Sequence, residues 1–80
     1  MSLSFVVSEA GCESCAKLVR QALEPLGAVE SIAVDEAADE AAVRLDTSTA
    51  TERDVNRALA AVSAGAGHAY RVRPGSWDAP

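Results

Sequence analysis

The chain has 80 residues, 49% hydrophobic and 24% charged, with seven Lys or Arg against twelve Asp or Glu and a formal net charge of -5. Such a length makes one domain, and a domain this small buries only about 60% of its unfolded surface, which leaves little material for a large enclosed organic-substrate pocket. The acidic balance argues against nucleic acid, which needs clustered Lys and Arg, and no apolar run is long enough to cross a membrane.

Met1-Ser2-Leu3-Ser4 has neither a basic n-region nor a long apolar h-region, so no signal peptide is read and a cytoplasmic setting is expected. From Ser2 to Ser8, Leu3, Phe5 and Val7 alternate with Ser4, Val6 and Ser8, the period of a strand with one buried face. After Glu9-Ala10-Gly11 the period changes. Cys15, Val19, Leu23 and Leu26 recur at helical spacing, and Pro25 with Gly27 ends that helix. Val29 to Asp35 is a second strand, with Ile32 and Val34 on one face. A polar turn over 35–39 leads to a third strand with Ala41, Val43 and Leu45 inward, so strands two and three form an antiparallel hairpin. Alanine and glutamate over 37–42 would also suit helix, but the alternation continues through Val43-Arg44-Leu45.

Thr51 with Asp54 three residues on opens a second helix, whose stripe is Val55, Leu59 and Val62 and whose end is Ala64-Gly65-Ala66-Gly67. Tyr70 and Val72 make a last short strand, closed by Pro74-Gly75. Arg71 and Arg73 are read as a solvated edge that discourages sheet pairing. The order βαββαβ, with right-handed crossovers, predicts an α+β, ferredoxin-like fold: a four-stranded antiparallel sheet with two helices on one face. Residues 1–75 are read as the domain and 76–80 as a flexible tail, with Trp77 either exposed or folded back onto the sheet.

Cys12 and Cys15 are the only cysteines. They stand where a strand ends, a glycine follows and a helix begins. Such a junction points backbone N–H groups and the positive end of the helix dipole at one spot, which favours thiolates. A separation of three residues lets two sulfurs converge on one ion. Thiolates are soft ligands that prefer Cu(I), Zn(II) and similar ions over Mg or Ca. Two thiolates on an exposed loop do not close a tetrahedral zinc site, which takes four ligands, but they suffice for Cu(I). The plain alternative is a pair of small buried hydrophobes. With no export signal, metal or redox chemistry is expected before a structural disulfide. Glu13 works against thiolate formation and Lys17 for it.

The order of elements, Val7 five residues before Cys12, the CxxC at the first strand–helix junction and Gly27-Ala28-Val29 after the helix resemble the heavy-metal-associated domain of copper chaperones and of the N-termini of metal-transporting P-type ATPases. The resemblance spans roughly residues 3–73 and implies that Cys12 and Cys15 bind the metal, with Cu(I) first and Hg(II), Zn(II) and Cd(II) behind it. The family usually has Gly-Met-x-Cys-x-x-Cys. Here Glu9 and Ala10 stand in place of the glycine and the methionine, so less apolar support under the loop is expected. In the family, the loop after the second helix often carries a glycine and then an aromatic or lysine near the metal. The matching residues are Gly67-His68, which implies His68 as a third ligand; a solvent-facing histidine with no role is the alternative.

The expected function is a carrier, not an enzyme, that hands its ion to a metal-transporting P-type ATPase or its metal-binding domain, as a monomer or a weak metal-bridged dimer. A thiol–disulfide oxidoreductase is the rival, since a CxxC at a strand–helix junction also suits that chemistry. Against it, the chain has no aromatic before the CxxC and no facing strand proline. A diverged relative that binds no metal is the third reading.

Overall fold

The structure, a computed structural model, describes residues 1–79. Alternation builds β1 (Ser2–Ser8), whose odd residues Leu3, Phe5 and Val7 are buried. It pairs antiparallel with β3 (Glu40–Asp46), setting Leu3 opposite Leu45, Phe5 opposite Val43 and Val7 opposite Ala41. On the other side of β3 lies β2 (Ala28–Asp35), antiparallel, with Ile32 opposite Val43 and Val34 opposite Ala41. A bulge between Val29 and Ser31 shifts the register by one residue and lets both Val29 and Ile32 face the core. The short β4 (Arg71–Val72) pairs with the end of β1. Among the described residues the sheet order is β2-β3-β1-β4, all antiparallel.

The helices α1 (Glu13–Leu23) and α2 (Glu52–Ala66) cover the apolar face of this sheet. Val19, Leu23, Val55 and Leu59 are wholly buried against Val7, Val43 and Leu45. The predicted ferredoxin-like arrangement is thus the one observed. Pro25 does not end the chain's helical course at once. It is the second residue of a one-turn 3-10 helix, Glu24–Leu26, where its missing N–H is harmless. Gly27 stops that turn for a reason other than left-handed backbone. Its φ of 164° is extended, but a Cβ there would fall on the carbonyl oxygen of Asp46.

At α2 the predicted capping box is complete. Thr51 Oγ1 accepts from Asp54 N–H at 3.2 Å, and Asp54 Oδ2 accepts from Thr51 N–H at 3.0 Å. The backbone N–H of Thr51 holds the Asp54 carboxyl below the usual carboxylate range, with its hydroxyl interaction and Arg57 and Arg53 adding to this. A depressed folded value means that the cap's contribution is full above the unfolded carboxylate pKa and fades as pH falls through the lowered one.

Two features differ from the sequence-based expectation. The β4 edge is not left to solvated arginines. Asn56 Oδ1 accepts from Val72 N–H at 2.7 Å and Ser63 Oγ from Tyr70 N–H at 3.0 Å, so α2 covers it. Arg73 instead reaches across to Glu40 at 2.9 Å. Residues 76–78 of the expected flexible tail lie along β1. Ser4 N–H donates to Asp78 O at 2.9 Å, Asp78 N–H to Ser4 O at 2.8 Å, and Val6 N–H to Ser76 Oγ at 3.1 Å. Trp77 stacks on Phe5 with ring centroids 5.3 Å apart and packs against the core. An unpaired flank of β1 and an apolar ring next to it explain why this segment folds back. Trp77→Ala is expected to destabilise the domain by about 1–2 kcal/mol. Urea unfolding followed by far-ultraviolet circular dichroism checks this, since the variant lacks the chain's single tryptophan.

Candidate metal centre

The junction between β1 and α1 is short. Glu9 turns the chain, Ala10 is fully buried, and Cys12 is the N-cap of α1 in extended backbone. Its sulfur performs the capping: Cys12 Sγ accepts from Cys15 N–H at 3.1 Å and lies 3.3 Å from Ser14 Oγ. An oxygen from Ser, Thr, Asp or Asn normally fills this place. Here the helix N-terminus is aimed at sulfur, and it is a place where backbone N–H groups attract negative charge.

The two sulfurs face one another and are joined as a disulfide, with the Cα atoms 5.1 Å apart. Sulfurs that can bond each other can share one soft ion once reduced. The pair is not uniformly open to solvent, as the loop reading expected. Cys12 is half-buried, whereas Cys15 is only 2% exposed. Cys15 belongs to the same helical stripe as Val19 and Leu23, which is the buried one, so Cys15 lies in the core while Cys12 packs at its margin, partly open to solvent.

Glu9 carries φ +61°, the left-handed region that non-glycine residues seldom occupy. Its carboxylate accepts from Ala69 N–H at 3.4 Å, a weak tie to the loop between α2 and β4. A glycine would hold this backbone without strain, which accounts physically for the glycine of the motif at this position.

His68 lies on that second loop, exposed, with its ring stacked on Tyr70 at 5.7 Å. Among the described residues, no group of three or more His, Cys, Asp and Glu side chains is assembled to hold a metal ion. His68 and the cysteine pair thus do not form a ready three-ligand set. Tyr70, expected in the core, is buried, and its hydroxyl lacks a hydrogen-bond partner among the described residues. Burial, and then the charge of Asp39, push the phenol upward from its ordinary value. A shallow groove of about 370 Å³ on the open sheet face includes Ser4, Val6, Ala33, Ala42 and Arg44, and none of Cys12, Cys15 and His68 lines it.

The residue that sequence reasoning missed is Asp39. From the turn after β2 it accepts hydrogen bonds from both residues preceding Cys12. Its only trace in the sequence is its place in a polar turn, which carries no sign of a contact 28 residues away.

The model of the heavy-metal-associated domain matches residues 4–66. A search of curated proteins finds no match. Among solved structures, the crystal structure of oxidized MerP from Ralstonia metallidurans CH34 is 20% identical, with 91% of this chain and 99% of that one covered and a TM-score of 0.58. The mercury-bound form of MerP, a periplasmic protein of the bacterial mercury detoxification system, is 21% identical over 99% and 100% of the chains, with a TM-score of 0.53. A structure from work on crosstalk between Cu(I) and Zn(II) homeostasis is 25% identical over 88% and 97%, with a TM-score of 0.57.

Glu9→Gly is expected to stabilise the domain by roughly 0.5–1 kcal/mol, the left-handed strain relieved less the added freedom of the unfolded chain. Urea unfolding of both proteins measures it. Thiol titration under denaturing conditions is expected to find no free thiol in the oxidised protein and two after reduction.

Proposed function

Because the chain belongs to the heavy-metal-associated domain family, we propose that it binds a soft heavy-metal ion, Cu(I) before Zn(II), Hg(II) or Cd(II), through Cys12 and Cys15 and passes it to a partner protein. The observation that carries this reading is the meeting of the two sulfurs at the N-terminus of α1, where Cys12 also caps the helix. A dithiolate is a soft donor set, and Cu(I) accepts just two ligands where Zn(II) takes four. The 25% identity to the structure from work on crosstalk between Cu(I) and Zn(II) homeostasis supports a soft metal without ranking the two, whereas the MerP likenesses speak to the fold alone.

The domain works as a carrier rather than an enzyme. Reduction of the disulfide is the step that opens the site, and a cytoplasmic setting supplies it. The partner in this reading is a metal-transporting P-type ATPase or its metal-binding domain. Cys12, the more exposed of the pair, is the one an incoming thiolate reaches first, so exchange begins there while buried Cys15 holds the ion. His68 completes the coordination only by a closing movement of the loop between α2 and β4, over and above the arrangement described.

The disulfide between Cys12 and Cys15 favours one rival, a thiol–disulfide oxidoreductase. Titration of the reduced protein with Cu(I) against a chromogenic chelator separates the two. A carrier competes for one ion per chain and loses this with Cys12→Ser. His68→Ala weakens binding only where the imidazole is a ligand. Failure to compete, together with reduction of an insulin-type disulfide, would favour the oxidoreductase; neither activity would mark a relative that has lost the metal.

A further inference from the structure

The loop that carries Cys12 has little apolar material beneath it. Ala10 is fully buried but contributes a single methyl group. What lies against the loop is the turn between β2 and β3. Asp39 N–H bonds Glu36 O at 3.3 Å, and Ala38 N–H bonds Asp35 Oδ1 at 3.2 Å, so this turn is itself shaped by hydrogen bonds. Asp39 takes φ +54°, a conformation that Asp and Asn tolerate better than most residues. So placed, it accepts twice from the metal loop. Its carbonyl oxygen receives Ala10 N–H at 3.2 Å, and its Oδ1 receives Gly11 N–H at 3.1 Å. The approach is close enough that a Cβ on Gly11 would fall on Asp39 Cα. The adjacent residue, Glu40, is held in turn by Arg73.

We propose that Asp39 is a positioning residue for the cysteine pair: its carboxylate fixes Gly11 as its backbone carbonyl fixes Ala10, and through Gly11 the carboxylate holds Cys12 over the mouth of α1. Two consecutive N–H groups held from a second element leave the loop little freedom before Cys12. The sulfur then arrives at the helix N-terminus with part of its ordering cost already met by the fold. Glycine at position 11 is required by the contact itself, since any side chain would push the turn away. Such outer partners orient ligands without touching the ion, and removing one commonly lowers metal affinity by about 10–100-fold.

The copper arm of the test rests on the metal-binding reading, so a metal-free arm stands beside it. Asp39→Gly removes the carboxylate while keeping the backbone carbonyl and the left-handed backbone; Asp39→Asn keeps an acceptor oxygen at the same place. Circular dichroism melts confirm that both variants fold. The metal-free readout is the equilibrium of the reduced protein with oxidised glutathione, in which the cysteine pair loses two electrons to form its disulfide and two glutathione thiols are released. Asp39→Gly is expected to lower this equilibrium constant about 3–10-fold, the change one net hydrogen bond makes. It is expected to weaken Cu(I) binding by about 10-fold, and Asp39→Asn to restore both. An Asp39→Gly protein that matches the wild type in the glutathione equilibrium overturns the proposal, and so does an Asp39→Asn protein that falls with it. A wild type that binds no Cu(I) overturns the copper reading instead, and the glutathione arm still judges Asp39.

Discussion

The acceptance of the Cys15 N–H by Cys12 Sγ organises the functional end of the molecule. It begins α1, which would otherwise start with an unpaired donor close to the core. It also holds two sulfurs together where the backbone favours negative charge. Cap and proposed ligand are one atom here, so the geometry that starts the helix also places that sulfur beside its partner. The asymmetry of the pair comes from the same source. A cap stands at the surface, and the residue three positions on starts the buried stripe.

Behind the cap the support is relayed through the sheet. β3 lies between β2 and β1, so the turn that enters it sits beside the end of β1. Asp39 is brought to Gly11 by the pairing of Ser8 with Glu40. The loop is thus held by a register set along the length of both strands, with Val7 opposite Ala41 and Phe5 opposite Val43 fixing it through burial.

Most of the fold was legible in the sequence because its signals are local. Alternation through Leu3, Phe5 and Val7, the stripe Cys15-Val19-Leu23, and the Thr51–Asp54 box each lie within one element and are found where they were read. The CxxC was legible in the same way, including the convergence of its sulfurs. What escaped depends on contacts between distant segments. The tail docks because the flank of β1 is open, which only the assembled strand order reveals. The burial of Cys15 follows from its own stripe, but expecting an open loop obscured it. Asp39 and His68 turn on how loops meet across the molecule, and spacing along the chain says little about that.

The sheet ends differently on its two sides. Beyond β4 the flank is closed by Asn56 and Ser63, and below it residues 76–78 continue along β1. The other margin, β2, has a single weak tie from α1, Arg20 donating to Val29 O at 3.4 Å, but it is interrupted by the irregularity at Glu30 and carries acidic side chains at Glu30 and Asp35. A kinked, charged margin is a poor template for a further strand. Edge-to-edge pairing of one copy with the next into a continuous sheet is thereby opposed on both sides.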